Sequence, residues 1–144
     1  MRRILFLSLL LCWQLNALDV ASTLKIYHGL FSSLLNRAHY TIYTDDQELR
    51  DVFAKSSKIS ITSTPVSADI IVVSKRSTLP KITSTVQHTI TIATKYTLLR
   101  KSKHIACAFY WRKGRAQLLF IKSRLRKLGI SLPSKYRKYT VEKL

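Results

Sequence analysis

Ala68-Asp69-Ile70-Ile71-Val72-Val73-Ser74 is the stretch that decides the fold. Its run of consecutive β-branched residues leaves no polar side. As a strand it must be covered on both faces, the condition of a strand inside a parallel sheet with helices above and below. Downstream, TITIAT at residues 89–94 repeats this character, and upstream YTIYT at residues 40–44 is β-branched and aromatic; both read as strands. KISITS at residues 58–63 alternates instead, as a half-buried strand does. Val20, Leu24, Tyr27, Leu30, Phe31, Leu34, Leu35 and Ala38 recur at helical spacing, which predicts an amphipathic helix from Asp19 to Ala38 with Asp19 and Ser22 as candidate caps. Asp45-Asp46 is expected to cap a short helix through Ala54, with Leu49, Val52 and Phe53 facing inward. The acids there read as helix initiation rather than as a metal site. A short helix is predicted around Ser77 to Val86, and a helical turn over Tyr96 to Lys101.

Toward the C-terminus, IACAFYWR (105–112) and AQLLFIK (116–122) flank Lys113-Gly114 and make the clearest hairpin signal in the chain. Ser123 is a candidate N-cap for a basic helix that stops at Gly129, and Pro133 opens a final short helix carrying Tyr136 and Tyr139. Strands alternating with helices, then a hairpin, predict one α/β domain. Its mixed sheet of five or six strands has helices on both faces and a C-terminal hairpin followed by short helices.

The N-terminus reads as an export signal. Arg2 and Arg3 precede an apolar run from Ile4 to Leu15, and Asn16-Ala17 offers a small residue for cleavage. The run falls short of the roughly 20 apolar residues of a membrane span, although an uncleaved anchor is the alternative. Residues 1–17 are therefore assigned as a signal peptide and 18–144 as the periplasmic domain. Cleavage would also remove Cys12 and leave Cys107 as the single thiol, which forbids an internal disulfide. The loss of two arginines leaves 23 basic residues against seven acids, net +16. Acids gather at Asp45, Asp46, Glu48 and Asp51, and the remainder of the chain is overwhelmingly cationic. Outside the cytoplasm such a surface favours anionic lipid, an anionic ligand or an acidic protein face; nucleic acid is not expected.

Phe109 to Arg115 stands out among candidate interaction residues. On a strand Phe109 and Trp111 share one face, Tyr110 and Arg112 the other, and Lys113-Gly114 returns Arg115 to the hairpin mouth. Tyr110, Trp111, Arg112, Lys113 and Arg115 are types that carry binding energy at interfaces. The alternatives are a hairpin whose aromatic face is core and whose turn is merely solvated, the commoner fate of such residues, and a grip on an anionic headgroup. A second basic set includes Lys122, Arg124, Arg126 and Lys127, with Lys135, Arg137 and Lys138 beyond it. From this set Arg124 and Lys127 join the candidate interaction surface.

The order of these segments, from ADIIVVS through TITIAT and YTLL to ACAFYW and LLFIKSRLRKLGISLPSKY, resembles the YfiR-like family of periplasmic regulators. Ala68-Asp69-Ile70 stands at the family's strand entry, Gly129-Ile130-Ser131-Leu132 at its glycine-led apolar turn, and Ile26 to Leu35 at a helix in compatible position. The likeness spans about Ala68 to Tyr139. Departures are specific: the family's glycine pair corresponds to Ala106-Cys107, its asparagine to Lys122 or Ser123, and its paired cysteines are missing. The resemblance implies a small periplasmic protein that binds the outward-facing sensor portion of an inner-membrane signalling enzyme, typically a diguanylate cyclase, and restrains it.

Catalytic patterns are missing from the sequence. His28, His39, His88 and His104 lack H-x-x-x-H spacing, no serine lies in G-x-S-x-G, and no G-x-G-x-x-G or P-loop occurs. The expectation is a non-enzyme without metal or cofactor: a periplasmic regulator of an inner-membrane signalling protein such as a diguanylate cyclase or sensor kinase. The alternative is a periplasmic binding domain for an anionic small molecule or lipid headgroup.

Overall fold

The computed structural model describes residues 20–86 and 88–144. The signal segment 1–17 and the candidate cap Asp19 lie outside the described residues. Ile70–Val73 form a strand whose every residue is buried. Around it the chain lays down β1 (Tyr40–Thr44), β2 (Ile59–Ile61), β3 (Ile70–Val73), β4 (Ile90–Ala93), β5 (Ile105–Arg112), β6 (Arg115–Ile121) and β7 (Thr140–Val141). These make one sheet in the order β2-β1-β3-β4-β5-β6-β7. Neighbouring strands are parallel from β2 through β5. β6 is antiparallel to β5, and β7 runs parallel to β6.

Parallel connections need crossovers, and the intervening helices supply them. Helix α1 runs through residues 20–34, followed by α2 (Gln47–Ala54), α3 (Leu79–Thr85), α4 (Tyr96–Lys101) and α5 (Lys122–Lys127). The β3 side chains divide between two cores because successive residues point to opposite faces. Ile70 and Val72 join Ile42, Ile92, Phe53 and the α1 residues Tyr27, Leu30 and Phe31. Ile71 and Val73 join Tyr43, Ile82 of α3, and Leu98 and Leu99 of α4. On the α1 side the filler is aromatic. The Tyr27 ring meets Phe53 edge-on at 5.0 Å and Phe109 edge-on at 5.2 Å, and Phe31 lies 5.8 Å from Phe53.

The predicted hairpin forms, with Arg112 opposite Arg115 and left-handed backbone at Lys113 (φ 50°) and Gly114 (φ 73°). Two successive positive φ angles are the two-residue turn that matches strand twist. Asp46 caps α2 by accepting the Glu48 and Leu49 amides.

Four expectations need correction. Helix α1 stops at residue 34 rather than 38, and Tyr40 of β1 donates its hydroxyl to the Leu35 carbonyl at 3.1 Å, ending the helix against the sheet. Ser22 lies within that helix and is not its cap. The described sheet has seven strands rather than five or six. The extra one is β7, which follows the expected final short helix, here a 3₁₀ segment, Ser134–Tyr139. Nor does Ser123 cap α5, which starts at Lys122; the Ser123 amide instead donates to the Glu142 carbonyl at 3.2 Å, so the returning C-terminal chain satisfies that helix end.

Two outcomes follow from this packing. Phe53→Ala removes a fully buried ring from the aromatic cluster and should lower unfolding free energy by about 3–5 kcal/mol in urea titration. Cys107 is wholly buried in β5, and burial pushes its thiol well above the ordinary cysteine range. Iodoacetamide should therefore leave the Cys107 peptide unmodified in the native protein and label it in urea, as read by peptide mass spectrometry; rapid native labelling would contradict the packing.

Candidate functional site

Parallel sheets with the order 2-1-3-4-5 bind ligands outside the carboxyl ends of their strands, where the connections diverge between β1 and β3. Here the chain fills that position itself. The Asp45 carboxylate, just past β1, accepts the Ser74 amide at 2.7 Å and the Lys75 amide at 3.0 Å, both just past β3. Thr94 donates to the Ser74 hydroxyl at 2.7 Å. Arg50 reaches back from α2 to the Thr44 carbonyl at 3.0 Å, which leaves its Nε buried without a hydrogen-bond partner. Amides that could greet an anion at this switch point already hold a carboxylate.

The open surface lies further along the same edge, where the β5–β6 pair runs on past the end of β4. Phe109 is core, but two residues on, beyond the helix layer, Trp111 is 57% exposed, with its ring 6.3 Å from Phe109. It is the most exposed aromatic side chain among the described residues. Tyr110, on the opposite face of the strand, leans on Tyr96 of α4 at 5.9 Å. Trp111 thus stands as a partition between two depressions. One is cationic, with Lys95 and Arg112 beside Tyr96 and Tyr110. The other carries Asp46 and Glu48 against Phe109 and Thr23. Arg112, Lys113 and Arg115 are exposed around the turn.

The candidate interaction residues therefore separate. Tyr110, Trp111, Arg112, Lys113 and Arg115 are brought together at the hairpin tip. Arg124 and Lys127 are not, because β6 returns the chain to the opposite end of the sheet. Seven strand steps from Arg112 back to Ile105 amount to about 23 Å, and Arg124 is bonded at Ile105. There its Nη1 donates to the Leu99, Ser102 and Ile105 carbonyls at 2.8, 2.9 and 2.9 Å. This guanidinium joins the end of α4 to the start of β5 rather than facing a partner, and burial pulls its pKa below the usual arginine value. Lys127 is exposed on α5.

Sequence reading missed Lys95, Tyr96, Asp46 and Glu48 as neighbours of Trp111. Only the strand-order rule, which lines up the carboxyl ends of β1, β3, β4 and β5 along one edge of the sheet, could have pointed to them. The histidines stay apart: His28 shares a 2.9 Å hydrogen bond with Ser56, and His39 one of 2.7 Å with Ser60. Burial, aided by the Lys58 charge, lowers the His28 pKa. Among the described residues no three of His, Cys, Asp or Glu gather where they could hold a metal ion, and no helix is long and apolar enough to cross a membrane.

The two basic residues of α5 should behave differently on substitution. Arg124→Met leaves carbonyls without their charged donor and is expected to cost about 2 kcal/mol of stability, whereas Lys127→Met should stay within about 0.5 kcal/mol; urea midpoints of the two variants read the difference. No protein-family model matches the chain, and no curated protein matches it significantly in sequence.

Proposed function

We propose that the chain is an exported, non-catalytic regulator. In this reading it binds the periplasmic sensor region of an inner-membrane signalling enzyme, a diguanylate cyclase or a sensor kinase, and modulates it through the β5–β6 hairpin tip. The observation that carries the reading is Trp111, more than half exposed on a strand whose first five residues are core. A large ring held out by a rigid strand loses little freedom when a partner covers it, and with Arg112 and Arg115 beside it the tip has the composition of an interface centre. Acid on one side of Trp111 and base on the other suit a folded partner with complementary charge, since opposite patches fix orientation on docking. The N-terminal segment and the resemblance to YfiR-like proteins support the periplasmic location and the class of partner.

The second reading, an anionic small molecule or headgroup, would place the ligand between Lys95 and Arg112 with Tyr96 and Tyr110 as its walls. The acidic neighbour across Trp111 argues against a large anion there.

A photoreactive residue in place of Arg112, activated in cells and followed by mass spectrometry, decides between them. One inner-membrane sensor protein is the expected capture, and Trp111→Ala should abolish it while leaving stability within about 0.5 kcal/mol. Lipid adducts alone, or no adduct above background, would overturn the regulator reading.

A further inference from the structure

The opposite end of the sheet holds a cavity that the hairpin reading does not use. It lies between α5, the connection 128–133 and the 3₁₀ segment Ser134–Tyr139. Its apolar lining is Leu125, Ile130, Leu132 and Pro133. Leu125 is buried, and Ile130 and Leu132 pack against the α1-side core while keeping part of their surface free. Lys122, Arg126 and Arg137 also line it. Arg126 meets Glu142 at 3.3 Å, with both side chains more than half exposed. Lys122 and Arg137 have no acidic partner among the described residues.

The walls are fixed before any ligand arrives. Gly129 takes φ +71°, and the Ile130 amide closes back onto the Leu125 carbonyl at 3.0 Å, so the chain turns sharply at the end of α5 and carries Ile130 inward. The 3₁₀ segment that supplies Ser134 and Arg137 to the other wall is anchored by Tyr136, which meets Phe120 edge-on at 5.4 Å and donates its hydroxyl to the Gly29 carbonyl at 3.3 Å. Thr140 donates to the Tyr136 carbonyl at 2.9 Å. A preformed apolar hollow with a few convergent polar groups is the usual form of a small-ligand site. Three cations around this one select the charge of what enters: the hollow favours hydrocarbon, and the long cationic side chains favour an anionic oxygen group.

We propose that this cavity binds an amphiphilic anion, a phosphate or carboxylate carried on an alkyl chain, with the chain against Leu125, Ile130 and Leu132 and the head between Lys122, Arg126 and Arg137. Such a head occurs both on free single-chain amphiphiles and on membrane lipids. The proposal is independent of the hairpin, which lies at the far end of β5.

The test titrates the full chain with dodecyl phosphate below its micelle-forming concentration and follows backbone amide resonances. The expected result is saturable shifts at Leu125, Ile130 and Thr140, with inorganic phosphate binding far more weakly. The double variant Lys122→Ala/Arg137→Ala should weaken binding about tenfold, the worth of about 1.4 kcal/mol of charge contact, and Leu132→Ser should weaken it as well. The charge-matched Lys101→Ala/Lys103→Ala variant, exposed on another face, should bind as the parent does. Equal loss in the two double variants would reduce the effect to net charge and overturn the proposal. So would shifts confined to the hairpin, or equal binding of inorganic and dodecyl phosphate. Anionic phospholipid vesicles distinguish the sources: capture by vesicles together with dodecyl phosphate binding identifies a lipid head as an admissible source, and dodecyl phosphate binding without vesicle capture identifies a free amphiphile. Capture by vesicles alone means surface adsorption and overturns the cavity.

Discussion

Complete exclusion of β3 from water is the constraint on which the rest of the structure depends. Ile70, Ile71, Val72 and Val73 all have essentially zero exposure. With side chains alternating between faces, both faces must then be covered. The α1 side uses large rings, Tyr27, Phe31, Phe53 and Phe109, and the α3–α4 side uses aliphatic residues such as Ile82, Leu98 and Leu99. Each fully buried aliphatic or aromatic side chain contributes roughly 1.5–3 kcal/mol relative to exposure. The two layers together therefore outweigh the cost of ordering several short helices that would not form alone.

A sheet of this order exposes backbone amides at its carboxyl edge, and they must find acceptors. Asp45 supplies one inside the molecule, so the position that commonly serves ligands in such folds is a structural joint. Arg124 performs the complementary task at the other edge, donating to three carbonyls from one nitrogen. Both residues are charged and both sit near a proposed binding surface, yet their hydrogen bonds are directed into the fold. This narrows what a partner can contact to exposed groups whose polar atoms are not bonded inside the fold, Trp111 and its neighbouring cations at one end and the Lys122–Arg137 rim at the other.

These two regions are held at opposite ends of one rigid element, the β5–β6 pair, and differ in chemistry. The hairpin tip presents a projecting ring with charge of both signs nearby, a shape suited to a surface. The α5 end presents a concave apolar hollow under basic side chains, a shape suited to a chain with a charged head. Neither depends on the other for its geometry, so a partner at one end leaves the opposite end open.

Much of the fold was legible in the chain because its signals are local. The unbroken apolar run at Ile70–Val73, the Asp46 cap and the Lys113-Gly114 turn each follow from steric and hydrogen-bonding preferences within a few residues, and all three form as read. What was not legible depends on distant segments meeting. β7 exists because the chain after Tyr139 falls beside Phe120 and Ile121, and Ser123 is no cap because α5 already begins at Lys122, where the Glu142 carbonyl accepts the Ser123 amide. The fates of the basic residues were equally hidden. Arg124 and Arg126 differ by two positions and carry the same charge, but one points at a helix end it can satisfy and the other at solvent and Glu142. By itself the sequence determined the first six strands, the hairpin turn and the strongly cationic character, because backbone preference and side-chain polarity are properties of the residues. Only the tertiary structure decided which charges are structural and which are free, because that depends on where the unsatisfied carbonyls and amides of other segments come to lie.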